Sequence, residues 1–408
     1  MDSPDVAVIG AGPAGLVAAA SAARRGRTVK LLERNDRPGR KLLLTGGGRC
    51  NLLDPSAPAL DALDAFGRPG QFLRDALARF DWSGFLADLA VDLERDDADG
   101  RFTVKGGARR MLDALLEACE RAGVEIVTGG RVAGLTVSPA GGFEVALDGG
   151  EVVHAGRVVV ATGGLTWSDT GSTGDAFAWA RALGHAVDEP RGALGALVTE
   201  PDFAALAGVS VPDVALTLRV DGKRAAQLRG DVLFTHRGLS GPAALDLSLE
   251  LVRARTGASA EITLDFLPDV ERRELERRLA SRRGRQAAHV FQNERIGRRL
   301  AGRLIRELLA RADVDPARSV EQVPHAKLRA FAESLKATRL VVGGFEDPDA
   351  CMVTLGGVAT RDVDPRTMES RVTPGLFFAG EVLSPAGPCG GYNLLSCFAT
   401  GTLAGGSV

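Results

Sequence analysis

The sequence predicts an α/β protein whose parallel sheet is assembled from both ends of the chain, with an inserted antiparallel β domain and a small helical subdomain. Three observations predict it. Short apolar runs ending in glycine clusters begin at Val6, Val158 and Leu376, far apart in the chain. Between about Arg191 and Val341 the pattern turns to alternation of apolar and polar residues, as in Val214 to Val220, which suits a half-exposed antiparallel strand. Within that region, Glu271 to Arg311 switches again, placing Leu275, Leu279, Leu300, Leu304 and Leu308 at helical spacing.

Composition sets the limits. A chain of 408 residues, 45% of them apolar, is long enough for two or three domains and is not disordered. A formal net charge of -2 gives no global pull toward nucleic acid or a membrane surface. The apolar run VAVIG starts at Val6, which leaves no room for a cleavable export signal, and no window has the length of a membrane span. Five cysteines, at 50, 119, 351, 389 and 397, form no CxxC or metal spacing, so a reducing cytoplasm is the expected location and no metal site is expected.

The first element is the stretch DVAVIGAGPAGLVAAASAARRGRTVKLLER. Asp5 to Ile9 reads as a buried strand, Pro13 to Arg25 as an alanine-rich helix stopped by Gly26, and Thr28 to Leu32 as a second strand ending at Glu33. Gly10, Gly12 and Gly15 fit G-x-G-x-x-G. Gly10 makes the tight turn, Gly12 lets backbone approach a pyrophosphate, Gly15 allows close helix packing, and Pro13 and Ala14 open the helix whose bare N–H groups attract an anion. Glu33, eighteen positions past Gly15, is placed to accept hydrogen bonds from an adenosine ribose, with Arg34 beside it. An acid there disfavours a 2′-phosphate, so the ligand is of the FAD or NAD type.

The rest of the chain favours FAD. Val158 to Ala161 forms another strand ending in Thr162, Gly163 and Gly164. Leu376 to Ala379 forms a third, followed by Gly380 and Glu381, a loop, and then Gly390 and Gly391 opening a helix at Tyr392, Asn393 and Leu394. A second bare helix start is a second anion or carbonyl site, suited to a flavin's pyrimidine edge. No second G-x-G-x-x-G follows a strand, so the chain carries no nicotinamide domain of its own. Either NAD(P)H visits transiently, or the substrate reduces the flavin and O₂ reoxidises it.

The stretches GRKLLLTGGGRCN, ATGGLTWSDTGSTGDAFAWARALGH, LFTHRGLSGPA, VTLGGVATRDVDPRTMESRVTPGLFFAGEVL and GGYNL resemble the YhiN/BaiN-type flavoproteins, which include aminoacetone-oxidase-like and bile-acid-enone-reductase-like enzymes. The resemblance runs from one end of the chain to the other. It implies a non-covalent FAD, a Rossmann-type FAD-binding domain and oxidoreductase activity on a small molecule. The chain departs from the family pattern at Ser384, where an acid is usual, at Gly100 to Lys105, at Leu395 and at Cys389.

The resemblance also brings TGGGRCN to the cofactor. Thr45 and the glycines Gly46, Gly47 and Gly48 would let the chain pass the FAD pyrophosphate and ribityl chain, while Arg40, Lys41 and Arg49 neutralise phosphate charge. Cys50 and Asn51 would then lie near the isoalloxazine, with Cys50 read as a packing residue rather than a redox thiol. Val132 and Ala161 complete the expected cofactor-binding set.

The expected domains are 1–190 and 349–408 for the FAD-binding domain, 191–268 and 316–348 for the inserted β domain, and 269–315 for the helical subdomain. The flavin is expected between the β domain and the Rossmann-type domain, with His236, in FTHRGLSGP, and Tyr392 as candidate catalytic residues. The stretch from Glu271 to Arg311 holds thirteen Arg against five Glu, which keeps a tRNA-modifying flavoprotein as one alternative. A solvated helix face is the favoured reading of that charge, and a non-catalytic flavin-binding protein is the other alternative. The sequence does not set the oligomeric state.

Overall fold

A computed structural model describes residues 3–96, 100–254, 259–280, 286–287 and 300–408. The chain divides into two compact units, one made of Met1–Gly192 with Asp349–Val408, the other of Ala193–Pro348.

The first unit is built on a five-stranded parallel sheet in the order Leu376–Phe378, Arg157–Val160, Val6–Ile9, Val29–Leu32, Glu125–Val127. The three central strands are almost wholly buried apolar runs, as expected where helices cover both faces of a sheet. The edge strand Leu376–Phe378 comes from the far C-terminal part of the chain, and Ala379 N donates to Val160 O at 3.1 Å to extend that pairing. Two three-stranded antiparallel sheets accompany the main one: Asn51–Leu52, Phe102–Val104 and Leu93–Arg95 form one, and Val132–Val137, Phe143–Leu147 and Val152–Ala155 form the other.

Helix Pro13–Arg24 packs along the last helix, Tyr392–Ser407, through small residues. A Cβ on Gly401 would sit 2.5 Å from Ala14 O, and one on Gly405 would sit 2.2 Å from Ala18 O. The two backbones are therefore closer than any side chain would permit. Trp82, Phe85 and Phe398 stack beside this seam at 5.0–5.9 Å between ring centres.

The second unit is a closed six-stranded antiparallel barrel: Leu197–Glu200, Gly238–Ser240, Lys223–Phe234, Ser210–Val220, Ala260–Asp265 and Thr338–Phe345, which returns to Leu197–Glu200. Val214 to Val220, Arg229 to Thr235 and Ala260 to Phe266 read as strands in the sequence, the first by its alternation. The two short strands and Thr338–Phe345 lack it, and they close the barrel. Helices Pro242–Arg253, Arg272–Ala280, Gly302–Arg311 and His325–Lys336 send Leu247, Leu275, Leu308 and Phe331 into the same buried cluster as Leu216, Phe234 and Ile262. The helical stretch that the sequence sets apart as a subdomain thus shares the barrel's core, because its leucine stripe has that apolar surface to cover.

Much of the arginine run between Glu271 and Arg311 lies outside the described residues. Within them, Arg272 pairs with Glu276 at 3.0 Å, Arg278 with Glu274 at 2.6 Å and Arg311 with Glu307 at 2.7 Å. No described helix is long and apolar enough to cross a membrane, and no described group of His, Cys, Asp or Glu could hold a metal ion.

Candidate cofactor-binding site

The carboxyl ends of the central strands converge on the first glycine turn. Gly10 N donates to Leu32 O at 2.8 Å, and Gly10 has φ +100°, with Ala161 O only 2.6 Å from where a Cβ would stand. A Cβ on Gly15 would lie 1.8 Å from Gly10 O, so turn and helix are in backbone contact. Gly12 differs: nothing lies within 4 Å of its Cβ position, which leaves room for a ligand. Helix Pro13–Arg24 opens there with no side-chain cap and no acid in its first turn, so its leading N–H groups are available to an anion.

Glu33 follows the second strand and is 6% exposed. One carboxylate oxygen accepts from Ala11 N at 2.9 Å; the other accepts from Asn35 N at 2.9 Å and Asn35 Nδ2 at 2.7 Å. The carboxylate is thus fixed beside the glycine turn with about one of its four lone-pair sites to spare. Asn35 also donates to Thr170 O at 2.9 Å, and Arg34 Nη1 donates to Gly171 O, Thr173 Oγ1 and Asp175 Oδ2 at 3.3, 2.6 and 3.2 Å. Arg34, expected at the cofactor, therefore ties down the Gly163–Asp175 loop. Val132 is buried at the start of its sheet strand.

The TGGGRCN segment folds as a short, broken helical turn, Leu42–Gly48. Gly46, Gly47 and Gly48 have φ of +59°, +66° and +88°, the left-handed region that a side chain disfavours. A Cβ on Gly46 would also strike Asn51 Oδ1 at 2.5 Å, whereas the space beside Gly47 is open. Thr45 Oγ1 donates to Leu42 O at 2.7 Å and holds the turn. Cys50 is fully buried at φ +57°, and burial pushes its thiol up to about 12. None of the five cysteines forms a disulfide.

The last helix meets this segment directly. A Cβ on Gly391 would stand 2.6 Å from Leu52 Cα, so the GGYN helix start rests on the backbone just after Asn51. The helix is uncapped by any side chain. Tyr392 packs edge-on against Phe66 at 6.2 Å. The Asn393 amide is committed to the preceding loop, accepting from Gly387 N at 2.9 Å and donating to Gly387 O at 2.9 Å and Pro388 O at 3.3 Å. Asn393, with the buried Leu394, offers a ligand its backbone N–H rather than its side chain.

Thr162, Gly163 and Gly164 close the site. A Cβ on Gly164 would collide with Thr354 Oγ1 at 2.0 Å and Glu381 Oε1 at 2.8 Å, and one on Gly380 with Ala14 Cβ at 2.7 Å. Lys41 Nζ lies 3.0 Å from both Glu381 oxygens and donates to Thr166 Oγ1 at 3.1 Å. Arg49 pairs with Asp96 at 3.0 Å. Of the three cations expected at the phosphates, Arg40 donates to the neutral Asn35 Oδ1 at 3.1 Å, while Lys41 and Arg49 have carboxylates of their own. His236 belongs to the second unit, where it is exposed in the barrel turn between Lys223–Phe234 and Gly238–Ser240.

Sequence reasoning missed Asn35, Thr166 and Thr354. Asn35 had a signal, standing two residues past the ribose acid; the two threonines had none, because their partners are remote in sequence. Two buried polar atoms in this site, Asn51 Oδ1 and Thr162 Oγ1, have no hydrogen-bond partner among the described residues. With the open space at Gly12 and the two uncapped helix starts, they fit FAD at the strand ends.

A parallel sheet with a glycine turn, a ribose acid and a second uncapped helix at its carboxyl edge defines the class of dinucleotide-binding Rossmann proteins. Residues 4–407 match the HI0933-like protein Rossmann domain, and the chain belongs to that family. It is an FAD-dependent oxidoreductase. The chain is 31% identical over 400 residues to the ribosomal RNA dihydrouridine synthase of Escherichia coli K12, covering 96% of this chain and 95% of that one. It is 32% identical over 412 residues to the 3-dehydro-bile acid delta(4,6)-reductase of Clostridium scindens, covering 98% of each. Among solved structures, the 3-ketosteroid delta1-dehydrogenase of Sterolibacterium denitrificans shares the fold at a TM-score of 0.55 and 14% identity, with 99% of each chain covered.

Proposed function

We propose that the protein reduces a carbon–carbon double bond conjugated to a carbonyl group in a small molecule. The support is a shared chemistry: the relatives named a dihydrouridine synthase and a bile acid delta(4,6)-reductase differ in substrate, yet both names describe saturation of a ring double bond. One structural observation carries the reading. The uncapped start of Tyr392–Ser407 presents N–H groups beside Asn51 and Leu52, where negative charge developing on a reduced ring system is stabilised.

When bound, FAD supplies the hydride-transfer chemistry. Glu33 holds the adenosine ribose, and the start of Pro13–Arg24 with Arg40 holds the pyrophosphate. Gly46 to Gly48 and Thr162 to Gly164 line the way to the reacting ring. Tyr392, the only tyrosine of the chain, supplies a proton from its phenol oxygen, and His236 is the second candidate donor.

Anaerobic mixing tests the reading. NADH or NADPH should bleach the flavin, and a conjugated steroid enone should restore its colour and gain two mass units. Reoxidation by oxygen alone, after reduction by an amine, would overturn it in favour of an oxidase. Unmodified ribosomal RNA, offered in parallel, would take the place of the enone if the substrate is a nucleic acid. Tyr392→Phe and His236→Ala then separate the two donors: loss of the true one slows reoxidation about 100-fold or more and leaves FAD content intact.

A further inference from the structure

We propose that Lys41 is a positioning residue that acts through Glu381, rather than a ligand of the cofactor's phosphates. The inference rests on the FAD site described above. An ammonium has three N–H donors. Those of Lys41 face Glu381 Oε1 and Oε2, each at 3.0 Å, and Thr166 Oγ1 at 3.1 Å, so none is left for a phosphate oxygen.

The network continues on the other side of the pair. Glu381 Oε1 also accepts from Thr354 N at 2.8 Å, and Thr354 Oγ1 accepts from Leu165 N at 2.9 Å. Thr166 and Thr354 are both fully buried, while the Lys41 and Glu381 side chains are only 20% and 19% exposed. Four segments remote in sequence are locked by one ion pair: the entry to the triple-glycine turn, the Thr162–Thr166 loop, strand Val353–Val358 and the Gly380–Val382 turn. Three of them meet the first glycine turn or its helix: Gly39 N donates to Ala11 O at 3.0 Å, Thr162 Cα lies 3.0 Å from the Cβ position of Gly10, and a Cβ on Gly380 would lie 2.7 Å from Ala14 Cβ. The contact of Gly164 with both Glu381 and Thr354 leaves the loop no slack. Removing the ammonium therefore leaves a half-buried carboxylate without its counter-ion and releases the turn next to the cofactor.

The test compares Glu381→Gln with the double variant Glu381→Gln/Lys41→Met, both free of a lone buried carboxylate, and with Lys41→Met. Two quantities are read: the FAD dissociation constant and the midpoint potential of the bound flavin. If Lys41 works through the carboxylate, adding Lys41→Met to Glu381→Gln changes the dissociation constant by less than about threefold, although Lys41→Met alone weakens it about tenfold or more. Glu381→Gln unmasks one positive charge and raises the potential, and the double variant returns it to the wild-type value. A merely structural contact would not move the potential in that pattern. If the lysine instead binds phosphate, Lys41→Met costs as much in the Glu381→Gln background as in the wild type, and the salt dependence of binding falls. That result overturns the proposal. A wild-type protein that retains no FAD would overturn the cofactor site itself, a distinguishable failure.

Discussion

At Glu33 one carboxylate satisfies three donors beside the glycine turn, Ala11 N, Asn35 N and Asn35 Nδ2. Glu33→Ala should therefore lower both stability, by about 1–3 kcal/mol, and the flavin retained on purification. Urea unfolding and the absorbance of released flavin measure the two. Unchanged flavin content would mean that the ribose lies elsewhere. Cys50 gives the opposite kind of prediction. Its thiol, pushed up to about 12 by burial, holds almost no thiolate at pH 8. Iodoacetamide should leave Cys50 unlabelled in the folded protein and label it on unfolding, as peptide mass analysis would record. The position of Glu33 at the end of the second strand was legible from its spacing, and Cys50, read as a packing residue, is buried. The Lys41–Glu381 pair was not legible, since charge on a page carries no partner across 340 positions.

Helices and strands were readable to the extent that each carried its own periodicity or punctuation. The first helix, expected over Pro13 to Arg25, is observed as Pro13–Arg24, and the last opens after Gly391 as its glycine pair implied. What joins them was hidden, because glycines facing a backbone look the same as glycines in any helix. Their contact makes a sharp comparison possible. Gly405→Ala forces a Cβ against Ala18 O and should cost about 1–3 kcal/mol. Gly406→Ala, one residue on, meets nothing within 4 Å and should be neutral or slightly stabilising. Equal effects in thermal unfolding would show that the two helices do not approach as closely as described. The barrel was half legible for a related reason: alternation marks long strands, and three-residue strands are too short to show it.

For the whole molecule, the TMES segment ties the C-terminal part of the chain to the rest of its unit through His185. Its Nε2 lies 2.6 Å from Ser370 Oγ and its Nδ1 3.2 Å from Ala180 O. Ser370 Oγ already accepts from Val372 N and Thr373 N at 3.0 and 2.7 Å, so it donates its own proton to a neutral imidazole. Burial lowers the histidine's pKa, against the opposing pull of Ala180 O and Asp362. The unfolded chain therefore takes up a proton at His185 before the folded one does. Stability from this group is present above the ordinary histidine range and is lost as pH falls through it toward the lower folded value. Denaturation midpoints at pH 7.5 and 5.0 should show the loss, and His185→Leu should shrink it. That both chain ends build one sheet was legible, because each strand ends in its own glycine signature. The barrel's closure was not.

The edge strand Leu376–Phe378 and the helix after it come from the last tenth of the chain, while the barrel unit ends at Pro348. During synthesis the barrel sequence is therefore fully made before the sheet that binds the cofactor can be finished. Nascent chains should bury the barrel core first and hold strands Val6–Ile9 and Arg157–Val160 waiting for their neighbour. Any message cut short before codon 376 would yield a polypeptide that cannot retain flavin, however well its middle has folded. The colour of the protein is thus a report that translation has passed the last sheet strand and the helix after it.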